Sequence, residues 1–507
     1  MTEEIKRVSR PWVAVAFLCL PVLIVAIDDG VLNLALPAIS KEFQASTSEL
    51  QWAINAYLLA FAALLLPMGA LGDRLGRKKM LLIGLSLFAC GSLTAALSTS
   101  MVMLIACRAL MGVGAAIVLP QTLSIIRTTF TDPKQRVQAI GIWAGVYGLG
   151  YGLGPVVGGA LLEYFEWYSV FLFNIPVVII ALQGHFFIRE SRGQDAPRLD
   201  LAGVILSICG LFSLVYGIIK AGEKSWTDGS VIILLSVGAI VLAIFVWWEM
   251  RSDHPMLPMR FFRNMSFTGA DMAMAVGSFG TGAMLFFVSQ YFQTVQGYSP
   301  LEAALRFLPT AVILMLTSLV ATQIARAIGF KLPVSIGIFI SGVGLFCLSF
   351  VTVDTSYLAI LVGLALIAIG FGLAWGPATD SVMGSVPESR AGIGSAMDAT
   401  MQVLGTVLGV AIFGAIMNAM YRDKIENLEV VALLPEWAQE SIRSSIQGAH
   451  VVAEQFPADI SQQIVNGSNR AFTSGMTEAT FIGAIVIVVA SLVVLRILPT
   501  RIRPPQE

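Results

Sequence analysis

The chain has 507 residues, 56% apolar and only 12% charged, with a mean hydropathy of +0.81. Soluble domains carry about 25% charged residues, so this composition excludes them and leaves a protein that crosses a bilayer many times. The net charge of −1 offers nothing to a nucleic acid; the charges are sorted across the membrane and cancel only in the sum.

Runs of about 20 predominantly apolar residues predict fourteen spans. They start near positions 12, 49, 80, 101, 137, 167, 199, 230, 266, 303, 332, 357, 391 and 476. An even count puts both termini on one side. The first run contains Asp28 and Asp29 and lacks a small-residue cleavage site, so it reads as a retained helix. With Lys6, Arg7 and Arg10 in the cytoplasm, 22 of the 31 Lys and Arg fall in the connectors and tails on that side. Seven fall outside, and two, Arg108 and Arg306, lie within spans.

The connector after span two, Gly69 to Lys79, packs Arg74, Arg77, Lys78 and Lys79 into a few residues. Its glycines permit a sharp turn and leave Asp73 free to reach a neighbouring helix end.

Polar linkers divide the chain into a six-helix half (1–190), two inserted helices with their linkers (191–265) and a second six-helix half (266–507). Arg326 to Lys331 after span ten parallels Arg74 to Lys78 after span two. Likewise Gly370-x-Gly372 with Pro377 and Arg390 parallels Gly112-x-Gly114 with Pro120 and Arg136. That order fits a duplicated architecture. Residues 421–475 form a long outer loop with Pro435, Pro457 and mixed charges. Short amphipathic helices fit there, and no role follows.

An ionisable side chain within a span costs several kcal/mol, about 3 or more, so each is a functional candidate. Asp28 lies roughly 24 Å into span one and Arg108 roughly 10 Å below the outer end of span four, so they share a depth. A carboxylate balanced between burial and a guanidinium suits proton coupling; the alternative is a static buried ion pair. Asp398, about seven residues into span thirteen, is the second such carboxylate, for a proton or a cationic substrate; the alternative is a helix-start Asp held by the dipole. Asp29 points about 100° away from Asp28 and ranks lower, and Asp271 and Asp380, nearer the cytoplasmic ends, read as structural. His185, His254 and His450 all lie away from mid-membrane. The five cysteines lack metal-like or disulfide-like spacing, so no metal and no cofactor is expected.

Span five carries Gly150, Gly154, Pro155, Gly158 and Gly159, whose spacing allows close helix approach and a hinge or seal between the halves. Aromatic residues near the expected cavity, among them Trp52, Tyr57, Trp143, Tyr147, Tyr151, Phe286, Phe287, Tyr291 and Trp375, suit lipophilic cations and also ordinary packing. No HExxH, Cys/His set or buried Ser–His pair points to an enzyme, and nothing resembles a carbonyl filter.

Together, Ile27-Asp28 to Pro37, the Gly69–Lys79 connector, Arg108 to Gly112, Gly148 to Gly159 and Ser395 to Asp398 resemble the fourteen-helix drug:proton antiporter branch of the major facilitator superfamily, close to its exporters of quaternary ammonium compounds. The resemblance implies an all-α polytopic fold of two six-helix bundles plus two inserted helices. It makes Asp28 the coupling carboxylate, Arg108 its partner, the span-five Gly-Pro run the mark of exporters, and Asp73 with Arg77 a latch on an inner gate built from Gly69, Gly72, Arg74, Gly76 and Lys78. Expected substrate contacts are Asp28, Asn33, Asn55, Tyr57, Trp143, Tyr147, Phe287, Tyr291 and Asp398. Relatives that expel dications carry acids where this chain has Asn55, Leu314, Ala399 and Val403, which turns the expectation to monovalent cations. The implied protein is a monomer in the plasma membrane, with both termini cytoplasmic, exchanging protons for small lipophilic cations amid membrane lipid. The alternative is an exporter of one natural product, an antibiotic or siderophore.

Overall fold

The computed structural model describes residues 11–501 except 131, 193–199, 254, 256 and 387–390, and leaves out the side chains of residues 133, 137, 391 and 392. Lys6, Arg7, Arg10, Arg198, His254, Arg390 and Arg503 lie outside the described residues. Everything described is helix or connector, without strands, and fourteen helices are long and apolar enough to cross a membrane.

The first half comprises α1 (Pro11–Phe43), α2 (Thr47–Leu75), α3 (Arg77–Ala96), α4 (Met101–Thr129) and α5 (Pro133–Tyr164). Its sixth span is broken into α6 (Ser169–Leu172), α7 (Asn174–Leu182) and a 3₁₀ turn (Gln183–Phe186). The inserted pair is α8 (Leu201–Glu223) and α9 (Gly229–Glu249). The second half comprises α10 (Met265–Gln290), which runs into a π turn (Tyr291–Val295), α11 (Pro300–Ile328), α12 (Lys331–Leu348), α13 (Tyr357–Gly384), α14 (Ala391–Glu426) and α18 (Ala458–Ile497). Between the last two lie α15 (Glu429–Ala432), α16 (Glu436–Ser444) and α17 (Ile446–Ala453).

The caps of the two halves match. A capping box of Ser46 and Glu49 starts α2, and one of Ser299 and Glu302 starts α11, each satisfying two otherwise orphaned N–H groups. Both helices end at a glycine with positive φ, +115° at Gly76 and +93° at Gly329. Packing repeats as well: α1 lies on α5 and α2 on α4, as α10 lies on α14 and α11 on α13. Small residues let these pairs close. A Cβ at Gly150 or Gly154 would meet α1 backbone oxygens at 3.0 and 2.8 Å, and one at Gly405 or Gly409 would meet α10 carbonyl oxygens at 2.1 Å. The α5 helix runs unbroken through Pro155, whose Cδ fills the space beside Gly30, while Gly159 faces Ala304 of α11. One face of α5 therefore packs within its own half and the next face meets the other half.

The halves touch along α5–α11 and α2–α14, and α8 rests on both α14 and α2. Because α14 and α18 extend as helices, the outer loop proper shrinks to 427–457. It is anchored by Tyr421 Oη donating to Ile442 O (2.8 Å) and by Gln447, which donates to Gln290 Oε1 (3.1 Å) and Thr294 Oγ1 (3.3 Å). Thr47 Oγ1 of the first half donates to Ser444 O (3.3 Å), so this segment bridges the halves.

Candidate functional site

Between the halves lies a cavity of about 1110 Å³, large enough for a drug-sized molecule. At its mouth stand Asp73, Arg77, Arg127, Asp253 and Arg260, so it opens toward the face that carries the basic connectors. Away from the mouth the halves are bonded together. Ser289 Oγ donates to Asn33 O (2.7 Å), Gln293 Nε2 to Leu34 O (3.1 Å) and Gln51 Nε2 to Val410 O (3.0 Å).

The blind end is built on α1, α2, α4 and α5. Asp28 and Arg108 meet as the equal depths require. Arg108 Nη1 donates to Asp28 Oδ2 at 2.5 Å, with side chains 2% and 5% exposed. Arg108 Nε donates to Ala53 O (3.2 Å), and its guanidinium lies 4.3 Å from the Tyr57 ring centroid. Asn174 Nδ2 approaches Asp28 Oδ1 (3.4 Å) and donates to Ser92 Oγ (2.9 Å), which donates to Phe171 O (2.8 Å). Asn174 and Ser92 escape a reading of composition; the available signal is the Asn174 amide in the mostly apolar middle of the sixth span.

Asp29, one residue on, faces the cavity, whereas Asp28 does not line it. Asp29 Oδ1 is buried without a hydrogen-bond partner, and Tyr57, Tyr147, Tyr151 and Arg108 are its electrostatic neighbours. Asn33, Tyr57, Trp143 and Tyr147 line the wall as expected. Trp143 is fixed by donating to Thr122 Oγ1 (3.0 Å) and by stacking on Tyr147.

Other expected contacts are turned elsewhere. Asn55 is fully buried about 200° around α2 from Tyr57. Phe287 is wedged against Phe286 and Phe413, and Tyr291 donates its hydroxyl to Thr352 O (2.6 Å). Asp398 sits just behind the wall, 6% exposed, while Ser395 and Gln402 on the same side of α14 reach the cavity.

At the basic connector, Asp73 accepts from Arg77 Nε (2.7 Å) within its own turn instead of serving a helix end. Glu190 takes that place. It accepts from the backbone N–H groups of Lys78 and Lys79 (3.0 Å each) at the positive end of α3. Gly69 reaches the cavity, Gly72 is covered by the Gln121 side chain, and Arg74 points outward. At Gly76, φ of +115° and the Glu190 carboxyl 2.7 Å from where a Cβ would stand both exclude a side chain. Gly76→Ala is expected to cost about 1–3 kcal/mol, read as a lower midpoint in thermal unfolding of purified protein, with no change in the Asp28–Arg108 region.

Two helical bundles around a central cavity open at one face define a transporter, and the chain matches the Major Facilitator Superfamily over residues 18–410. The chain belongs to that family, a transporter and not an enzyme family. It is 36% identical to the multidrug efflux pump LfrA of Mycolicibacterium smegmatis, over 96% of each chain. It is 33% identical to the methyl viologen resistance protein SmvA of Salmonella typhimurium, over 91% of this chain and 93% of that one. In fold it resembles an inward-facing, unoccupied bacterial homologue of the lysosomal transporter Spinster, with a TM-score of 0.64 at 16% identity, over 98% of this chain and 99% of the other.

Proposed function

We propose that this protein exports lipophilic, monovalent cationic drugs, dyes and biocides in exchange for protons by alternating access. The observation that carries the reading is the aromatic-walled cavity whose one carboxylate at the blind end, Asp29, keeps an unpartnered oxygen. An organic cation seated there gains a counter-charge and ring faces at Tyr57, Tyr147 and Trp143. The relatives' printed names, a multidrug efflux pump and a methyl viologen resistance protein, support export of organic cations; methyl viologen is itself a dication, so the monovalent preference rests on the residues of this chain alone. The basic connectors favour an open mouth and both termini in the cytoplasm of a plasma-membrane monomer.

Coupling follows from the adjacency of Asp28 and Asp29. With Asp28 ionised, Arg108 is neutralised and Asp29 is left for the drug cation. When Asp28 takes a proton from outside, Arg108 loses its partner and its charge competes for Asp29, so the cation leaves. Each net charge moved is worth about 2.3 kcal/mol per 100 mV, which lets the membrane potential add to the proton gradient when more protons than cations move.

The test is ethidium transport in everted membrane vesicles, with and without a protonophore. The unmodified chain is expected to lose transport with the protonophore, Asp28→Asn to lose it outright, and Asp29→Asn to fall more than tenfold for cations while keeping a neutral substrate. Transport that survives both the protonophore and Asp28→Asn overturns the coupling, and no movement of any lipophilic cation overturns the substrate class.

A further inference from the structure

A second pair of membrane carboxylates lies in the other half, away from the Asp28–Arg108 site. Asp271 of α10 is 0% exposed, and both its carboxylate oxygens are buried without a hydrogen-bond partner. It is the seventh residue of its helix, beyond the first turn, where an N-terminal dipole would stabilise a charge. The close glycine contacts of Gly405 with Ala275 and Gly409 with Phe279 put α10 and α14 side by side in the same direction. That register sets Asp271 opposite residue 401, within a turn of Asp398. Asp398 has one oxygen unpartnered and the other 3.5 Å from Thr379 Oγ1.

The other charged groups on the elements packed against α10 do not serve Asp271. Asp380 of α13 pairs with Arg326 (3.9 Å). Among the described residues, Arg496 and Glu478 of α18, Lys331 of α12, Arg260 and Arg263 of the preceding turn, and Asp28 and Asp29 of α1 make no hydrogen bond or ion pair with it. A buried carboxylate with no protein partner is far costlier in this setting than a carboxylic acid, so burial favours the neutral form.

We propose that Asp271 and Asp398 are a second proton-handling site, in which Asp271 carries a proton in this conformation and exchanges it with the cavity through Asp398. The transfer breaks the Asp271 O–H bond and forms one on the Asp398 carboxylate. Asp398 then gives the proton to water beside Ser395 and Gln402. The inference rests on the antiport reading above and adds to it a proton station in the second half, so that binding a cation at the centre draws protons from both bundles.

The test is proton release on adding tetraphenylphosphonium to purified, weakly buffered protein, read with a pH indicator, alongside binding by tryptophan quenching. Asp271→Asn, which fixes the neutral form at nearly constant shape, is expected to bind within about threefold of the unmodified chain and to release at most half its protons. Asp271→Glu is expected to restore release. Undiminished release by Asp271→Asn overturns the proposal, and so does a marked gain in its thermal stability with release unchanged, the signature of a static buried charge. If the unmodified chain binds the cation and releases no proton, the antiport reading itself falls.

Discussion

Arg108→Ala is expected to abolish cation transport and to destabilise the protein by about 3–5 kcal/mol, because it leaves the Asp28 carboxylate buried with only the distant Asn174 amide for company. Removing both charges together is a different experiment. Asp28→Asn with Arg108→Ala takes the orphaned charge away, so the double variant is expected to recover much of the lost stability and none of the transport. The cycle of four proteins, measured by thermal unfolding and by vesicle uptake, separates the structural share of the pair from its coupling share. Arg108→Lys keeps the charge but gives up the planar fork that reaches Asp28 and the Ala53 carbonyl at once, and intermediate behaviour is expected. Full transport by Arg108→Ala would remove the pair from the mechanism.

The second large effect is steric. Gly409→Val would place a Cβ 2.1 Å from the Phe279 carbonyl oxygen, and Gly405→Val would do the same at Ala275. Neither obstacle is a side chain that can swing away, so α10 and α14 must separate along their whole contact. Overpacking costs about 1–3 kcal/mol where side chains adapt and more where backbone must move. Each substitution is expected to lower the amount of folded protein in the membrane severalfold. Gly145→Ala on α5 is the control: no atom lies within 4 Å of its Cβ position, and alanine gains helix propensity, so stability is expected to stay level or rise slightly. Normal yields of both valine variants, measured by fluorescence-detected gel filtration, would refute the close packing.

The spans were legible in the sequence because each is an apolar run of bilayer length, and the Asp28–Arg108 pair was legible because depth can be counted in residues along two helices. Rotation cannot be counted in that way. Which of Asp28 and Asp29 meets the cavity depends on how α1 is turned by the glycine face of α5. The 100° between them reverses the order that the family motif suggests. Phe287 and Tyr291 failed as cavity residues for the same reason: a helix that is apolar all round carries no periodicity to say which face is central. The break in the sixth span and the π turn after α10 left no trace, since a local change in helical hydrogen bonding has no signature in composition. Asp271 looked like a helix-end residue by position. Only packing reveals that neither a cap nor an ion pair reaches it.

The inserted helices also constrain how the molecule moves. At Gly222 of α8 a Cβ would meet the Ala415 backbone of α14 at 2.6 Å, whereas α8 meets α2 through Leu58 and Leu59 and through the rings of Trp52 against Phe212 and Tyr216. Under the proposed alternating access, α8, so closely fitted to α14, would travel with it and shift against α2. On that reading Trp52→Ala is expected to change the rate of vesicle transport more than its half-saturating cation concentration, a consequence of the inserted helix far from any charge.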